Sequence, residues 1–356
     1  MSETAEQRDQ ADRLGQRPPG RPGPQDTALN YLRRGGGIFL RQREATVLVV
    51  LIALVLYFGL TTSTFFSGSN ASTLLSGVAA QYIIISIGEV LLLICGEIDL
   101  SVGFIFTLSP FLLHYLVDFY SVPAWPAVII TLLIGVGIGW FNGFITVALR
   151  VPSFITTLGT GFVLYGIVLT TSHAEPATIS PGLQSIGKFF GAQTGAASWS
   201  MFIWAVVLVA IFHTVLTSTR YGLYTISVGG NPLGAREAGI PINRIRYGNF
   251  MITGFLGALV GVQIAFYNST IDPSSGGYTP MFYAVAAAVL GGTALAGGSG
   301  TIIGGALGAL VLSVLLNGVQ IKGVSANPLN IIFGGAILVA MIANMQLARL
   351  REAGRT

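Results

Sequence analysis

Long apolar stretches separated by short polar segments run along the chain from about residue 46 to about residue 346. About 20 consecutive apolar residues are enough for an α-helix to cross the hydrocarbon core of a bilayer. The chain is therefore predicted to be an all-α polytopic membrane protein with about ten transmembrane helices. These helices are predicted at residues 46–63, 74–95, 101–118, 124–149, 153–171, 200–217, 248–268, 281–297, 300–318 and 328–346.

Both ends of the chain are polar. Residues 1–45 are rich in Gln, Arg, Pro and Gly and show no apolar periodicity, so they are predicted to form a largely disordered tail. Residues 46–346 form the predicted transmembrane domain, and residues 347–356 form a short C-terminal tail. No secretory signal peptide is expected, because the first apolar stretch starts far from the N-terminus and lacks a small-residue cleavage site.

The positions of the basic residues predict how the helices are oriented. Cytoplasmic segments of membrane proteins carry an excess of Lys and Arg. With ten spans and the N-terminus inside, all of the 18 basic residues except Lys188 and Lys322 fall in cytoplasmic segments. Both termini are therefore predicted to be cytoplasmic, in a protein of the cell membrane.

Composition and motifs argue against an enzyme. Charged residues make up 9% of the chain, against about 25% in soluble domains, so the net charge of +4 does not indicate a nucleic-acid partner. The single cysteine, Cys95, excludes intrachain disulfides and metal–thiolate clusters. The segment 182–189 resembles a phosphate-binding loop but has Phe189 where a Ser or Thr would bind magnesium. No catalytic residue, cofactor or metal is expected, and any ATP must be hydrolysed by another subunit.

The polar loop at residues 218–247 contains a short helix with its own start and stop signals. Asn231 is a favoured N-cap, Pro232 is tolerated at the first helical position, and Gly239 suits a left-handed C-cap. A capped surface helix between two spans suggests a docking piece that passes force from a soluble partner to the membrane helices. The residues assigned to this coupling role are Gly230, Asn231, Pro232, Ala235, Arg236, Glu237, Ala238 and Gly239.

Three acidic residues lie among apolar sequence: Glu89 in the middle of the second span, and Glu97 and Asp99 just after it. Placing a carboxylate at the bilayer centre costs roughly 2.5–3.5 kcal/mol on insertion scales, so each should face a cavity, a helix end or a partner. Asp99 occupies an N-cap position for the next helix, and capping and a pathway role both stay open for it. The residues predicted to line a substrate pathway are Glu89, Asp99, Asn142 and Phe154, although Phe154 would also suit simple packing.

Glycine-rich interruptions at 96–103 and 291–300 are either turns between spans or breaks within them. Glycine allows sharp turns and close approach of backbones, and irregular backbone at membrane depth is tolerated only beside protein or a water-filled cavity. A tight turn and a gate hinge both stay open for the second interruption. The candidate signature or gate residues are Gly96, Glu97, Leu100, Ser101, Gly103, Gly291, Gly292, Gly297 and Gly298.

Glycines also recur every four residues within two predicted spans. One series is Gly135, Gly139 and Gly143, and the other is Gly300, Gly304 and Gly308. Such a ridge predicts close packing against a neighbouring membrane helix.

Four blocks of the sequence resemble the ribose-type sugar permeases of ABC importers. Residues 96–103, GEIDLSVG, are similar to the family signature Gly-Gly-Ile-Asp-Leu-Ser-Val-Gly, with Glu97 in place of its second glycine. Residues 151–160, 229–240 and 290–300 are similar to three further blocks. The resemblance extends over roughly residues 46–346, and the long N-terminal tail lies outside it.

The resemblance implies the transmembrane permease subunit of an ATP-driven importer for a monosaccharide such as ribose. It implies a pore made with a second permease copy or a close paralogue, ATP-binding subunits as two copies or one tandem chain, and an extracytoplasmic binding protein. Two alternatives stay open: a permease for branched-chain amino acids or nucleosides, and an ion-coupled secondary transporter in which Glu89 or Asp99 carries the ion.

Overall fold

A computed structural model describes residues 43–191 and 199–323, together with six separate positions between residues 331 and 342. Within these ranges the chain forms twelve α-helices and one antiparallel pair of two-residue strands. The elements are α1 Arg43–Thr61, α2 Gly68–Ile94, α3 Val102–Asp118, α4 Ala124–Ala148, α5 Ser153–Ser172, β1 Ala177–Thr178, α6 Gln184–Phe190, α7 Ser200–Ser218, α8 Arg220–Gly230, α9 Pro232–Glu237, α10 Ile242–Asn268, β2 Thr270–Ile271, α11 Tyr278–Leu290 and α12 Ile302–Ile321.

Nine of the ten predicted spans each overlap a helix of the structure, and the number of spans stays a prediction. Of the tenth, at 328–346, the described positions are helical and the others lie outside the described residues. The predicted tails at 1–45 and 347–356 also lie outside them, apart from residues 43–45, which begin α1. The helical fold class is therefore confirmed for the described part of the chain.

Seven of the helices in the described ranges are long and apolar enough to cross a membrane: α1, α2, α4, α5, α7, α10 and α12. Two further apolar helices are shorter, α3 with 17 residues and α11 with 13. The predicted span 281–297 was wrong at its end, because α11 stops at Leu290 and Gly292 adopts a positive φ of 89°. The predicted start at residue 248 was late, because α10 already begins at Ile242 and carries two arginines in its first turns.

The interior of the molecule is built around α2 and α10. Most residues of both helices are buried, whereas few residues of α1, α5 and α7 are, as expected for helices at the periphery of a membrane bundle. The first predicted glycine ridge is confirmed, because Gly135, Gly139 and Gly143 lie against the backbone and side chains of α10 between Tyr247 and Ala258. In the second ridge Gly304 and Gly308 lie against α11 and the turn that follows it, but the inclusion of Gly300 was wrong, because α12 begins only at Ile302.

Candidate functional site

The short helix α9 forms as its sequence predicts. Asn231 caps its N-terminus by accepting a hydrogen bond from the Gly234 amide at 3.0 Å, and Pro232 occupies its first turn. Gly239 follows the helix with a φ of 76°, the conformation expected of a left-handed C-cap. One face of α9 is anchored through buried Ala235, and the rest is exposed.

Ala235 belongs to an apolar group that joins α9 to the end of α2. This coupling cluster also connects to the last turn of α8 and the first turns of α10. Buried apolar contact is non-directional but collectively strong, so the four segments are held together as one unit. The cluster consists of Leu92, Cys95, Val228, Ala235, Ile242, Ile245 and Phe250.

A polar contact reinforces the same unit. The Tyr221 hydroxyl on α8 donates to Asn249 Oδ1, and the Asn249 amide donates to the Leu91 carbonyl oxygen at 3.3 Å. Burial raises the pKa of Tyr221 above its usual range, so the hydroxyl keeps its proton and stays a donor. Asn249 is fully buried, so losing either partner would leave a polar group unsatisfied.

Three backbones meet where α8 ends. The Gly298 amide donates to the Ile94 carbonyl oxygen at 2.7 Å, and a Cβ on Gly229 would overlap that same oxygen. A Cβ on Gly298 would lie 2.6 Å from the Cα of Gly230, and one on Gly297 would lie 3.0 Å from the Gly229 carbonyl oxygen. We call Ile94, Gly229, Gly230, Gly297 and Gly298 the glycine junction. It brings α8 against the end of α2, next to the first interruption, and against the second interruption.

The first interruption is a break between α2 and α3, which we call the first connector, residues 95–101. Gly96 has a φ of 82° with open space around it, so glycine is required there for its backbone conformation and not for close approach. Glu97, which stands where the family signature has glycine, forms an ion pair with Arg246 on α10, with Oε1 and Nη1 3.2 Å apart. The departure from the signature therefore adds a charge contact between the first connector and α10.

This ion pair makes a measurable prediction. Its side chains are 10% and 27% exposed, and such partly buried pairs couple by about 1 kcal/mol. A double-mutant cycle of Glu97→Gln and Arg246→Gln, read from the thermal unfolding of the purified chain, should show a coupling free energy of that size. Strictly additive effects of the two substitutions would contradict the contact.

A buried polar cluster lies where the first connector meets α2 and α4. It is formed by Asp99 and Ser101 of the connector, Glu89 of α2 and Asn142 of α4, and all four are fully buried. Asp99 Oδ1 accepts from the Ser101 amide at 2.8 Å and the Ser101 hydroxyl at 2.6 Å. The Asn142 amide donates to Ser101 Oγ at 2.8 Å, and the Asp99 amide lies 3.5 Å from Glu89 Oε2. The structure thus brings together three of the four predicted pathway residues.

Two details of this cluster differ from the sequence prediction. Ser101, not Asp99, occupies the N-cap position of α3. Asp99 lies two residues earlier and accepts a hydrogen bond from the Ser101 amide, so the N-cap prediction for Asp99 was wrong by two residues. Glu89 lies little more than one turn before the end of α2, so its predicted place in the middle of a span was also wrong. The helix α2 begins at Gly68, six residues before the predicted start of the span, and this moves the middle of the helix further from Glu89.

Phe154 does not join the polar cluster. It lies in the first turn of α5 and its side chain is 53% exposed. Leu100, by contrast, is buried at the end of the first connector. Gly103 lies in the first turn of α3, where its carbonyl oxygen accepts from the Gly277 amide at 2.7 Å and a Cβ would overlap Gly277.

The second interruption runs from Gly291 to Thr301, and we call it the second connector. Gly291 packs against Gly304, and Gly292, Gly297 and Gly298 all adopt positive φ. Thr301 ends the connector by capping α12, accepting from the Gly304 amide at 3.0 Å, while its hydroxyl donates to Glu44 of α1 at 2.8 Å. Both interruptions are therefore irregular segments between helices, positioned by packed neighbours.

Sequence reasoning missed several residues that hold the connectors. Thr157 Oγ1 accepts from the Leu100 amide at 2.9 Å and Ser153 Oγ accepts from the Ile98 amide at 3.3 Å. These two residues stand four apart on α5 within the block 151–160, which was an available signal. Arg246 and Asn249 offered no such signal in the sequence, because a polar residue in a helix does not show which neighbour it faces.

Among the described residues, no group of three or more His, Cys, Asp or Glu side chains could hold a metal ion.

Comparison with known proteins assigns the chain to a family. The family model described as "Branched-chain amino acid transport system / permease component" matches residues 71–342. The chain is 35% identical to the xylose/arabinose import permease protein of Sulfolobus acidocaldarius, over 87% of each chain. It is 32% identical to the ribose import permease protein of Escherichia coli K12, over 86% of this chain and 94% of that one. It is 28% identical to the fructose import permease protein of Rhizobium meliloti, over 88% of each.

No solved structure matches the chain. The family match covers more than half of the sequence and includes both connectors, α8, α9 and the polar cluster. The chain therefore belongs to the family of permease components that this model describes.

Proposed function

We propose that the chain is the permease subunit of an ATP-driven importer of a sugar, moved by ATP-binding subunits that dock on α9. The observation that carries the proposal is the convergence of α8 and α9 on both connectors through the coupling cluster and the glycine junction. The proposal includes ten spans with both termini in the cytoplasm. This topology places α9 on the cytoplasmic side, where an ATP-binding subunit would meet it.

The packing suggests how force passes through the permease. An ATP-binding subunit that pushes on α9 displaces Ala235, and Ala235 is packed with the end of α2 and the start of α10. The glycine junction leaves no gap between α8, the end of α2 and the second connector. A close-packed interior transmits displacement instead of absorbing it, so both connectors move with the coupling segment and alternate access to the pathway.

The partners follow from this arrangement. The chain carries no ATP-hydrolysing site of its own, and members of permease families work with separate ATP-binding subunits, here as two copies or one tandem chain. An extracytoplasmic binding protein delivers the solute, and a second permease copy or a close paralogue completes the pore. Membrane lipid covers the exposed apolar faces of α1, α5 and α7.

The substrate class rests on the relatives. The three relatives described above are named as import permeases for xylose and arabinose, for ribose and for fructose. The family description, in contrast, names branched-chain amino acids. We favour a monosaccharide over amino acids or nucleosides, because three sugar permeases match at 28–35% identity over most of the chain. Glu89, Asp99 and Asn142 are buried in this conformation, so a pathway role requires the first connector to move.

Reconstitution tests this function. The permease should be placed in proteoliposomes with the ATP-binding subunit and the binding protein encoded beside it, and radiolabelled pentoses and hexoses offered in turn. Uptake should need ATP and all three components. Uptake of leucine or adenosine in place of sugars would overturn the substrate class. Accumulation by the permease alone along a sodium or proton gradient would establish a secondary transporter instead.

A further inference from the structure

The polar cluster contains three oxygen atoms that have no hydrogen-bond partner among the described residues. They are Glu89 Oε1, Asp99 Oδ2 and Asn142 Oδ1, and all three side chains are fully buried. Carboxylate and amide oxygens are acceptors only, and two acceptors cannot bond to each other. With both acids ionised, the second N–H of the Asn142 amide, which lies near Asp99, is the one donor that the described residues offer to these oxygens.

The orientation of Asn142 is fixed by its neighbours. The Ser101 hydroxyl has one proton, which it donates to Asp99 Oδ1 at 2.6 Å. Ser101 Oγ can then only accept, so the group that faces it at 2.8 Å must be the Asn142 amide nitrogen. The Asn142 oxygen is consequently the free atom, and turning the amide over would not supply a further donor.

The two acids are held differently. Asp99 is bound as a carboxylate would be, because one oxygen accepts two short hydrogen bonds at the N-terminus of α3. Glu89 has a single, long contact to the Asp99 amide at 3.5 Å, which is beyond the usual range for an N–H···O bond. Two like charges this close in a dry interior repel strongly, so one negative charge belongs to Asp99.

No neighbouring cation neutralises Glu89. Among the described residues, Asp99 is the charged group that acts on it, and the Arg246 guanidinium is held by Glu97. Asn249 and Thr253, which face α2 from α10, are uncharged. The helices α11 and α12 carry no acidic or basic residue, α7 carries the half-buried His213, and Arg220 at the start of α8 is exposed.

We propose that Glu89 is a proton-binding site: it is a neutral carboxylic acid whose proton supplies a second donor within the Glu89–Asp99–Asn142 cluster. The site then carries a single charge, on Asp99, and holds the first connector against α2 and α4. Three free oxygens offer too few ligands for a metal ion, which favours a proton over sodium. The proposal does not depend on which solute the permease carries.

Infrared spectroscopy of the purified full-length permease in lipid nanodiscs tests the proposal. At neutral pH the spectrum should contain the carbonyl stretch of a protonated carboxyl group, and Glu89→Gln should remove it. Glu97→Gln is the matched control and should leave the band in place, because Glu97 is ion-paired. The band should be the same in sodium and in choline buffer.

Glu89→Gln also makes a stability prediction. The glutamine amide supplies the same donor in nearly the same shape, so the variant should keep the thermal midpoint of the unmodified chain. Glu89→Ala, which removes the donor, should lower the thermal midpoint.

Two results would overturn the proposal: a spectrum unchanged by Glu89→Gln, or a band lost on adding sodium. Failure of Glu89→Gln to fold would overturn it as well, since a neutral donor at this position should be accepted.

Discussion

Replacing Gly229 with alanine is expected to abolish transport. The added Cβ would overlap the Ile94 carbonyl oxygen and lie 2.7 Å from the Gly298 amide nitrogen, and neither backbone can move without breaking the hydrogen bond between them. Overpacking a close-packed site typically costs about 1–3 kcal/mol. If that strain separates α8 from the connectors, uptake in the reconstituted system should fall by more than about tenfold.

The matched control is the next residue along the same helix. A Cβ on Gly230 would lie 3.6 Å from the Gly298 Cα, an ordinary van der Waals distance, so Gly230→Ala should keep most of the activity. Both variants gain one methyl group in α8, so helix propensity changes equally in the two. Equal activity in Gly229→Ala and Gly230→Ala would show that the glycine junction does not matter for transport.

A second large effect is expected at the tip of α9. Leu233 is 72% exposed there, an apolar side chain that the fold leaves uncovered on the helix proposed to dock. Replacing it with aspartate would place an unpaired carboxylate in the contact with the ATP-binding subunit, which costs about 2–5 kcal/mol. Docking of that subunit, measured by co-purification and by titration in detergent, should weaken by at least about 30-fold.

The same substitution elsewhere separates docking from folding. Leu149 is also exposed, at 60%, in the turn between α4 and α5, which the proposed topology also places on the cytoplasmic side. Leu149→Asp should leave docking unchanged, and both variants should insert and unfold like the unmodified chain, because neither side chain is buried. Normal docking of Leu233→Asp would show that α9 is not part of the interface with the ATP-binding subunit.

The helices were predictable because burial in lipid imposes one simple rule on sequence. A span needs about 20 apolar residues, and that rule located α4, α5 and α7 almost to the residue, whereas α2 begins at Gly68, six residues before its predicted start. The caps of α9 were equally predictable, since Asn231, Pro232 and Gly239 each act through local geometry.

The contacts of the site were not predictable to the same degree. Asp99 and Glu89 were identified as buried acids, but only the fold shows that they share one cluster with Asn142, whose helix lies far along the chain. The role of Gly229 depends on Ile94 and Gly298, which approach it from two other segments. Long-range contacts of this kind leave no periodic signal in a single sequence.

Spin-label distances would test most directly whether α9 and the connectors move as one body. Cysteines at Glu237 on α9, Leu295 in the second connector and Tyr120 after α3 are exposed for labelling, whereas native Cys95 is buried. In the assembled importer, passing from the nucleotide-free to the vanadate-trapped state should leave the Glu237–Leu295 distance unchanged and shift the Leu295–Tyr120 distance. A changed Glu237–Leu295 distance with a constant Leu295–Tyr120 distance would contradict the account.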